Sequence, residues 1–190
     1  MEPLSKIQGG VSVLDRDNVD TDQILPKQFL KRMDRAGFGQ FLFYDWAKQP
    51  GWSLPANPIL VAGRNFGCGS SREHAAWALH DYGFRVVIAP SFGDIFHSNC
   101  TKIGLLPVVL PEAQVKALMR AASAEVDLRQ RSVTWDGQTT MFHIDPRIQD
   151  NLLHGRDDIA VTLAHLDEIT RYEEAHTMHR LSTIAVERRL

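Results

Sequence analysis

The apolar run Ile59-Leu60-Val61-Ala62 passes without a break into Gly63-Arg64-Asn65-Phe66-Gly67-Cys68-Gly69-Ser70-Ser71-Arg72-Glu73-His74, and then into Ala75-Ala76-Trp77-Ala78-Leu79. Strand, glycine-rich turn and helix start in that order narrow the possible folds. Such a unit belongs to an α/β sheet, with the turn at the end of a strand. The same order makes an anion site, because unpaired backbone N–H groups and the positive end of the helix dipole face outward together. The turn differs from the common phosphate loops. No Lys follows the glycines, and the spacing is not G-x-G-x-x-G. It offers two serines and an arginine at one helix tip.

The spacing Ser70-Ser71-Arg72-Glu73 fits a capping box, which would make Ser70 a helix N-cap. The competing expectation is a hydroxyl at a positive helix end beside Arg72, whose alkoxide form would be stabilised. No Gly-x-Ser-x-Gly elbow surrounds Ser70, which argues against a hydrolase triad. Cys68 in the glycine turn has no base adjacent in sequence and reads as a tightly packed small residue. Asp15, Asp17, Asp20 and Asp22 do not have EF-hand spacing and read as a solvated acidic turn. Asp22 stands apart, at the entry to Ile24-Leu25-Pro26. The eight histidines show no zincin or zinc-finger spacing.

Along the rest of the chain, Val11–Leu14, Val86–Ala89 and Leu105–Leu110 read as strands. Short helices are expected from Pro26, from Ser91–Asp94 and from Pro111-Glu112, and further helices near Pro146–Leu153 and Leu166–Ala175. Val133–Thr139, with Asp136-Gly137 in the turn, reads as a hairpin. Gly37 to Pro58 is irregular and rich in aromatics, a functional or packing loop more than a linker. These elements predict α/β with a mixed sheet and a late β-hairpin, flanked by helices, as one domain over 1–190 with about 177–190 unassigned. A length of 190 residues, 44% of them apolar, suits one sizeable core. A formal net charge of −2 gives no reason to expect nucleic acid. No signal peptide and no membrane span is read, and two cysteines suggest a reducing cytoplasm and no disulfide framework. Nor do two cysteines supply the usual ligand set of an iron–sulfur cluster.

Taken together, Asp20-Thr21-Asp22-Gln23-Ile24-Leu25-Pro26-Lys27-Gln28-Phe29-Leu30, Gly37-Phe38-Gly39, Phe41–Trp46, Asn65–His74, Ala89–Phe92, Asp94–Phe96 and Asn99–Pro107 resemble the small subunits of 3-isopropylmalate dehydratase. The likeness spans about residues 5 to 175. Those subunits correspond to the swivelling domain of aconitase, so the resemblance implies an aconitase-like swivelling fold. It also implies a hydro-lyase of leucine biosynthesis that interconverts 2-isopropylmalate and 3-isopropylmalate and is active only as a heterodimer with a large subunit. The resemblance places a [4Fe-4S] cluster on that large subunit and no metal on this chain. Ser70 would be the catalytic base. Ser71, Arg72 and Asp22 would bind the substrate, with Lys31 and Arg32 as further candidates for a second carboxylate.

The chain departs from the family pattern at Ala76, where a Pro is usual, at Arg147-Ile148-Gln149, at Arg156, and in the tail after His176. A paralogous enzyme for a related alkyl-malate or alkyl-maleate, and a carboxylate-binding module without chemistry, are the alternatives. An RNA-binding regulator is disfavoured by the absence of a basic–aromatic stripe. The aromatic stretch from Gly37 to Trp46 is expected to set preference among alkyl-substituted malates.

Overall fold

A computed structural model of the chain describes residues 1–31, 36–70, 72–163 and 165–176. It divides into two compact units, Met1–Asp157 and Asp158–Leu190. Among the described residues of the first unit, seven strands form one mixed sheet: β1 (Lys6–Leu14), β2 (Ile59–Ala62), β3 (Val86–Ala89), β4 (Leu106–Val109), β5 (Ser123–Asp127), β6 (Ser132–Trp135) and β7 (Gln138–Met141). Their order is β4-β3-β2-β1-β5-β6-β7.

The long first strand joins a parallel half to an antiparallel one. Val11 to Leu14 pair in parallel with Ile59 to Ala62. Lys6 to Gly10 pair antiparallel with β5, from Lys6↔Asp127 to Gly10↔Ser123. β2, β3 and β4 continue in parallel, and β5, β6 and β7 in antiparallel. The sequence placed only Val11–Leu14 in this strand and did not mark β5.

β2 and β3 are apolar throughout and fully buried because both their faces are covered. Side chains alternate across the sheet with a period of two. Leu14, Leu60, Ala62, Val87 and Ala89 therefore join one core with α3 (Glu73–Tyr82) and α4 (Asp94–Ile103). Ile59, Val61, Val86, Ile88, Leu106 and Val108 join a second core, with Val115 and Leu118 of the helix Glu112–Leu118, Val126 and Val133 of the antiparallel half, and Leu152. Each β–α–β step places its helix in the first core, so α3 and α4 lie side by side.

Other elements follow local chemistry. α1 (Thr21–Ile24) begins in a capping box: the Asp20 carboxylate accepts from the Gln23 amide, and the Gln23 side chain accepts from the Asp20 N–H. The sequence had assigned that stretch to an acidic turn, and the helix expected from Pro26 is a single 3-10 turn, Lys27–Phe29. Asp136 and Gly137 take φ of 44° and 74°, the positive pair a tight hairpin turn demands. Pro146–His154 starts on Asp145, whose carboxylate accepts from the N–H groups of Arg147 and Ile148. In the second unit, helices run over Asp158–Leu163 and Leu166–His176; the first was not anticipated.

The Gly37–Pro58 stretch holds the 3-10 turn Gly39–Phe41 and the short helix Tyr44–Ala47. Phe38, Leu42 and Phe43 are buried in the first core. The Phe43 ring stacks on Trp46 at 5.3 Å, and the Arg16 guanidinium covers the Trp46 ring at 4.3 Å. The aromatic residues Phe38, Phe41, Phe43, Trp46 and Trp52 of this stretch pack into or against the first core.

Candidate active site

The first three parallel strands end together at Leu14, Ala62 and Ala89, and the loops that follow are stitched into one surface. The Asn18 N–H donates to the Arg64 carbonyl at 2.8 Å, and the Gly67 N–H to the Val19 carbonyl at 2.7 Å. The Phe66 N–H donates to the Ser91 carbonyl, and the Gly93 N–H to the Phe66 carbonyl, both at 3.0 Å. Asp17 accepts from the Arg64 backbone at 2.7 Å and from its guanidinium at 2.8 Å. Open α/β sheets bind ligands at such carboxyl ends, where no strand continues and backbone groups point outward.

Gly67 is what lets the loop turn here. Its φ is +73°, and a Cβ at that position would overlap the Phe96 ring. Beyond it the Thr21 N–H donates to the Cys68 carbonyl at 3.0 Å, and the Thr21 hydroxyl to the Ser70 carbonyl at 3.0 Å. α1 therefore holds the serine turn by its backbone and leaves the side chain outside.

Ser70 is not a helix cap. The N-cap of α3 is Arg72, with no side-chain cap bond, so the capping-box expectation fails by two residues. The Ser70 carbonyl instead accepts from the Thr21 hydroxyl. The Ser70 side chain is exposed, and its hydroxyl has no hydrogen-bond partner among the described residues. Ser71 and Arg32 lie outside the described residues. Lys31 is exposed and does not line the cleft described below.

Arg72 and Asp22 are brought together as expected. The Arg72 guanidinium donates to the Asp22 carboxylate and is only 11% exposed, and Lys27 lies 3.5 Å from the other Asp22 oxygen. The hydrogen bond from Arg72 holds the Asp22 carboxyl below the usual aspartate range, against some opposing burial. Arg72 also lines a cleft of about 680 Å³, with Leu30, Glu73 and His74 on one side and Asp94, Ile95, Ser98, Asn99 and Lys102 of α4 on the other. Burial pulls the His74 imidazole below the ordinary histidine range, and its ring packs on Trp77 at 4.5 Å. The α4 wall was missed in the sequence, although 94, 95, 98, 99 and 102 fall on one helical face. None of Gly37–Trp46 lines the cleft, whose apolar side chains among the described residues are Leu30 and Ile95.

The cysteines do not form a metal site. Cys100 is fully buried in the core, and burial pushes its thiol well up. Burial and the nearby Asp20 charge raise the Cys68 thiol, the opposite of a reactive thiolate. Among the described residues no three His, Cys, Asp or Glu side chains are gathered to hold a metal ion. An iron–sulfur cluster does not fit this chain's own residues.

A mixed sheet with a serine–arginine turn at the ends of its parallel strands defines an aconitase-type carboxyl-terminal domain, and the Aconitase C-terminal domain model matches residues 47–113. The 3-isopropylmalate dehydratase small subunit of Halalkalibacterium halodurans is 53% identical, over 91% of this chain and 98% of its own length. That of Rhodopirellula baltica is 51% identical, over 92% and 99%. The crystal structure of a 3-isopropylmalate dehydratase from Methanocaldococcus jannaschii superposes with a TM-score of 0.70 at 25% identity, over 87% of this chain and 99% of that one. The chain belongs to the family of 3-isopropylmalate dehydratase small subunits.

Proposed function

We propose that this chain is the small subunit of a two-chain hydro-lyase that interconverts 2-isopropylmalate and 3-isopropylmalate by dehydration and rehydration in leucine biosynthesis. The observation that carries the proposal is the exposed Ser70 hydroxyl, unbonded among the described residues, two residues before an arginine that lines a cleft. Family membership supplies the substrate: the curated relatives bear the name 3-isopropylmalate dehydratase.

The difficult step is removal of a proton from a carbon beside a carboxylate. Ser70 is the base in this proposal, favoured as an alkoxide by the positive end of α3. Arg72 clamps a substrate carboxylate with its planar fork, and Asp22 orients that fork beforehand. Ser71 and Arg32 are further substrate contacts in the same proposal. A [4Fe-4S] cluster on the large subunit would supply Lewis-acid polarisation of the departing hydroxyl. The proposal includes one swivelling-type domain over 1–190, a cytoplasmic setting, and neither nucleic acid nor membrane as partner. Among the described residues no helix is long and apolar enough to cross a membrane.

Reconstitution tests it. Mixed with a cluster-bearing large subunit, the chain should convert 2-isopropylmalate to 3-isopropylmalate, and each chain alone should be inactive. A stable complex without turnover, or turnover by this chain alone, would overturn the proposal.

A further inference from the structure

The serine turn has little to fix it from within. Gly69, with a φ of +89°, and Ser70 are both exposed, and α3 begins beyond them, on Arg72, without a side-chain cap. Among the described residues a single hydrogen bond engages these two: the Thr21 hydroxyl donates to the Ser70 carbonyl at 3.0 Å. Thr21 itself is firmly seated. It is 1% exposed, and its N–H donates to the Cys68 carbonyl at 3.0 Å. The capping box at Asp20 starts α1, Ile24 is fully buried, and the Phe43 N–H donates to the Ile24 carbonyl at 2.8 Å. Asp22, the next residue, accepts from the Arg72 guanidinium. Two adjacent side chains of one short helix thus reach the main chain of Ser70 and the side chain of Arg72. Packing alone would be served by valine, which has the same branched outline. What the threonine oxygen adds is the bond to Ser70.

We propose that Thr21 is a positioning residue for the dehydration step: its hydroxyl fixes the Ser70 main chain, and with it the direction in which the Ser70 hydroxyl points. The inference rests on the dehydratase function proposed above, in which Ser70 is the base. A base works only within hydrogen-bond reach of the proton it removes, and a displacement of about 1 Å can cost about 10²-fold in rate. An exposed serine that follows a glycine at positive φ does not hold that tolerance unaided, because glycine leaves the backbone free to turn. Thr21 does not line the cleft, so it acts through Ser70.

Two measurements test this. In the reconstituted two-chain enzyme, Thr21→Val should lower kcat for 2-isopropylmalate by about 10–100-fold, with KM changed by no more than about twofold. Thr21→Ser keeps the hydroxyl and should hold kcat within about threefold of the original. In a Ser70→Ala background, Thr21→Val should cost little more, because no hydroxyl remains to be aimed; such non-additivity marks two residues that act as one unit. A merely structural threonine would give the same loss in both backgrounds. Unchanged kcat in Thr21→Val, a full further loss on top of Ser70→Ala, or failure of Thr21→Ser to restore turnover would each overturn the proposal. The second measurement is ¹⁵N relaxation on the full chain without a partner. The Ser70 amide should have an order parameter near about 0.85 in the original chain and in Thr21→Ser, and fall below about 0.6 in Thr21→Val. An equally ordered Ser70 in Thr21→Val would also overturn it. If the original two-chain complex shows no turnover, the dehydratase function fails, while the Ser70 order parameter still decides whether Thr21 fixes the turn.

Discussion

Ser70→Ala removes a hydroxyl that makes no hydrogen bond among the described residues and caps no helix. Capping serines lose about 0.5–2 kcal/mol on this change. Here the folded chain should lose less than about 0.5 kcal/mol, the ordinary value for an unengaged surface position. If Ser70 is the base, kcat of the two-chain enzyme should fall by about 10²–10⁴. Denaturant unfolding and steady-state kinetics on one preparation give both numbers, and a near-normal kcat would remove Ser70 from the chemistry. Arg72→Lys keeps the charge but loses the fork, and kcat/KM should drop by at least about tenfold. The Asp22 carboxyl titrates below the ordinary aspartate range because Arg72 donates to it. A depressed carboxyl contributes stability above its unfolded pKa and loses it as pH falls through the folded one. The stability deficit of Asp22→Asn should accordingly be present at pH 7 and disappear as pH falls through the depressed folded pKa, with a size of about 1 kcal/mol or less for a partly exposed pair. A deficit that persists in acid would mean that Asp22 acts by packing.

At the scale of elements, the glycine turn and the aromatic stretch behave differently. Gly67→Ala adds a methyl group into the Phe96 ring at a φ of +73°, so the loop must shift. A cost of about 1–3 kcal/mol is expected, with loss of kcat because Ser70 moves with the turn. Phe43→Ala in the aromatic stretch should cost about 3–5 kcal/mol, since the ring is fully buried. It should lower kcat/KM for isopropyl, methyl and unbranched malates in parallel. A selective change for one alkyl group would support a specificity role for Gly37–Trp46. Aromatic composition cannot separate a pocket wall from a core, because both are apolar. Only the direction of each side chain does, and that depends on Asp81 and Tyr82 packing behind Gly39 and on the Asp81 carboxylate accepting from the Phe38 N–H at 2.9 Å.

At the scale of the whole molecule, every buried hydrophobic residue of both cores lies between Leu4 and Leu152. A chain ending at Asp157 should unfold in one cooperative transition with most of the original Tm. A broad, non-cooperative melt would show that the second unit contributes to the fold. Three of the family departures take part in ordinary packing and polar contacts, and the tail after His176 lies outside the described residues. Ala76 is buried in the first core, the Gln149 amide donates to the Leu128 carbonyl at 2.7 Å, and Arg156 pairs with Asp150 at 2.7 Å.

Local order along the chain determined a good deal by itself. Ile59–Ala62 and Val86–Ala89 are strands at the bounds the apolar runs predict, and the Asp136-Gly137 hairpin and the helix opened by Pro146 form where their turn and cap residues stand. These elements need only period, caps and turn chemistry, which are properties of neighbours in sequence. The motif residues Asp20–Leu30 and Asn65–His74 were also enough to place the chain in its family. The tertiary structure decided the rest. Gly9 and Gly10 weaken any local preference for a strand, yet they lie within β1 paired to Ala124 and Ser123, where Pro58 and Asn57 leave no room for a Cβ. Asp20 proved a cap and Ser70 did not, because capping depends on where the helix actually begins, and Thr21 draws the Ser70 carbonyl toward α1. The α4 wall faces Arg72 because two β–α–β steps stack their helices in one core. That juxtaposition joins residues about thirty apart, a separation that no local pattern can read.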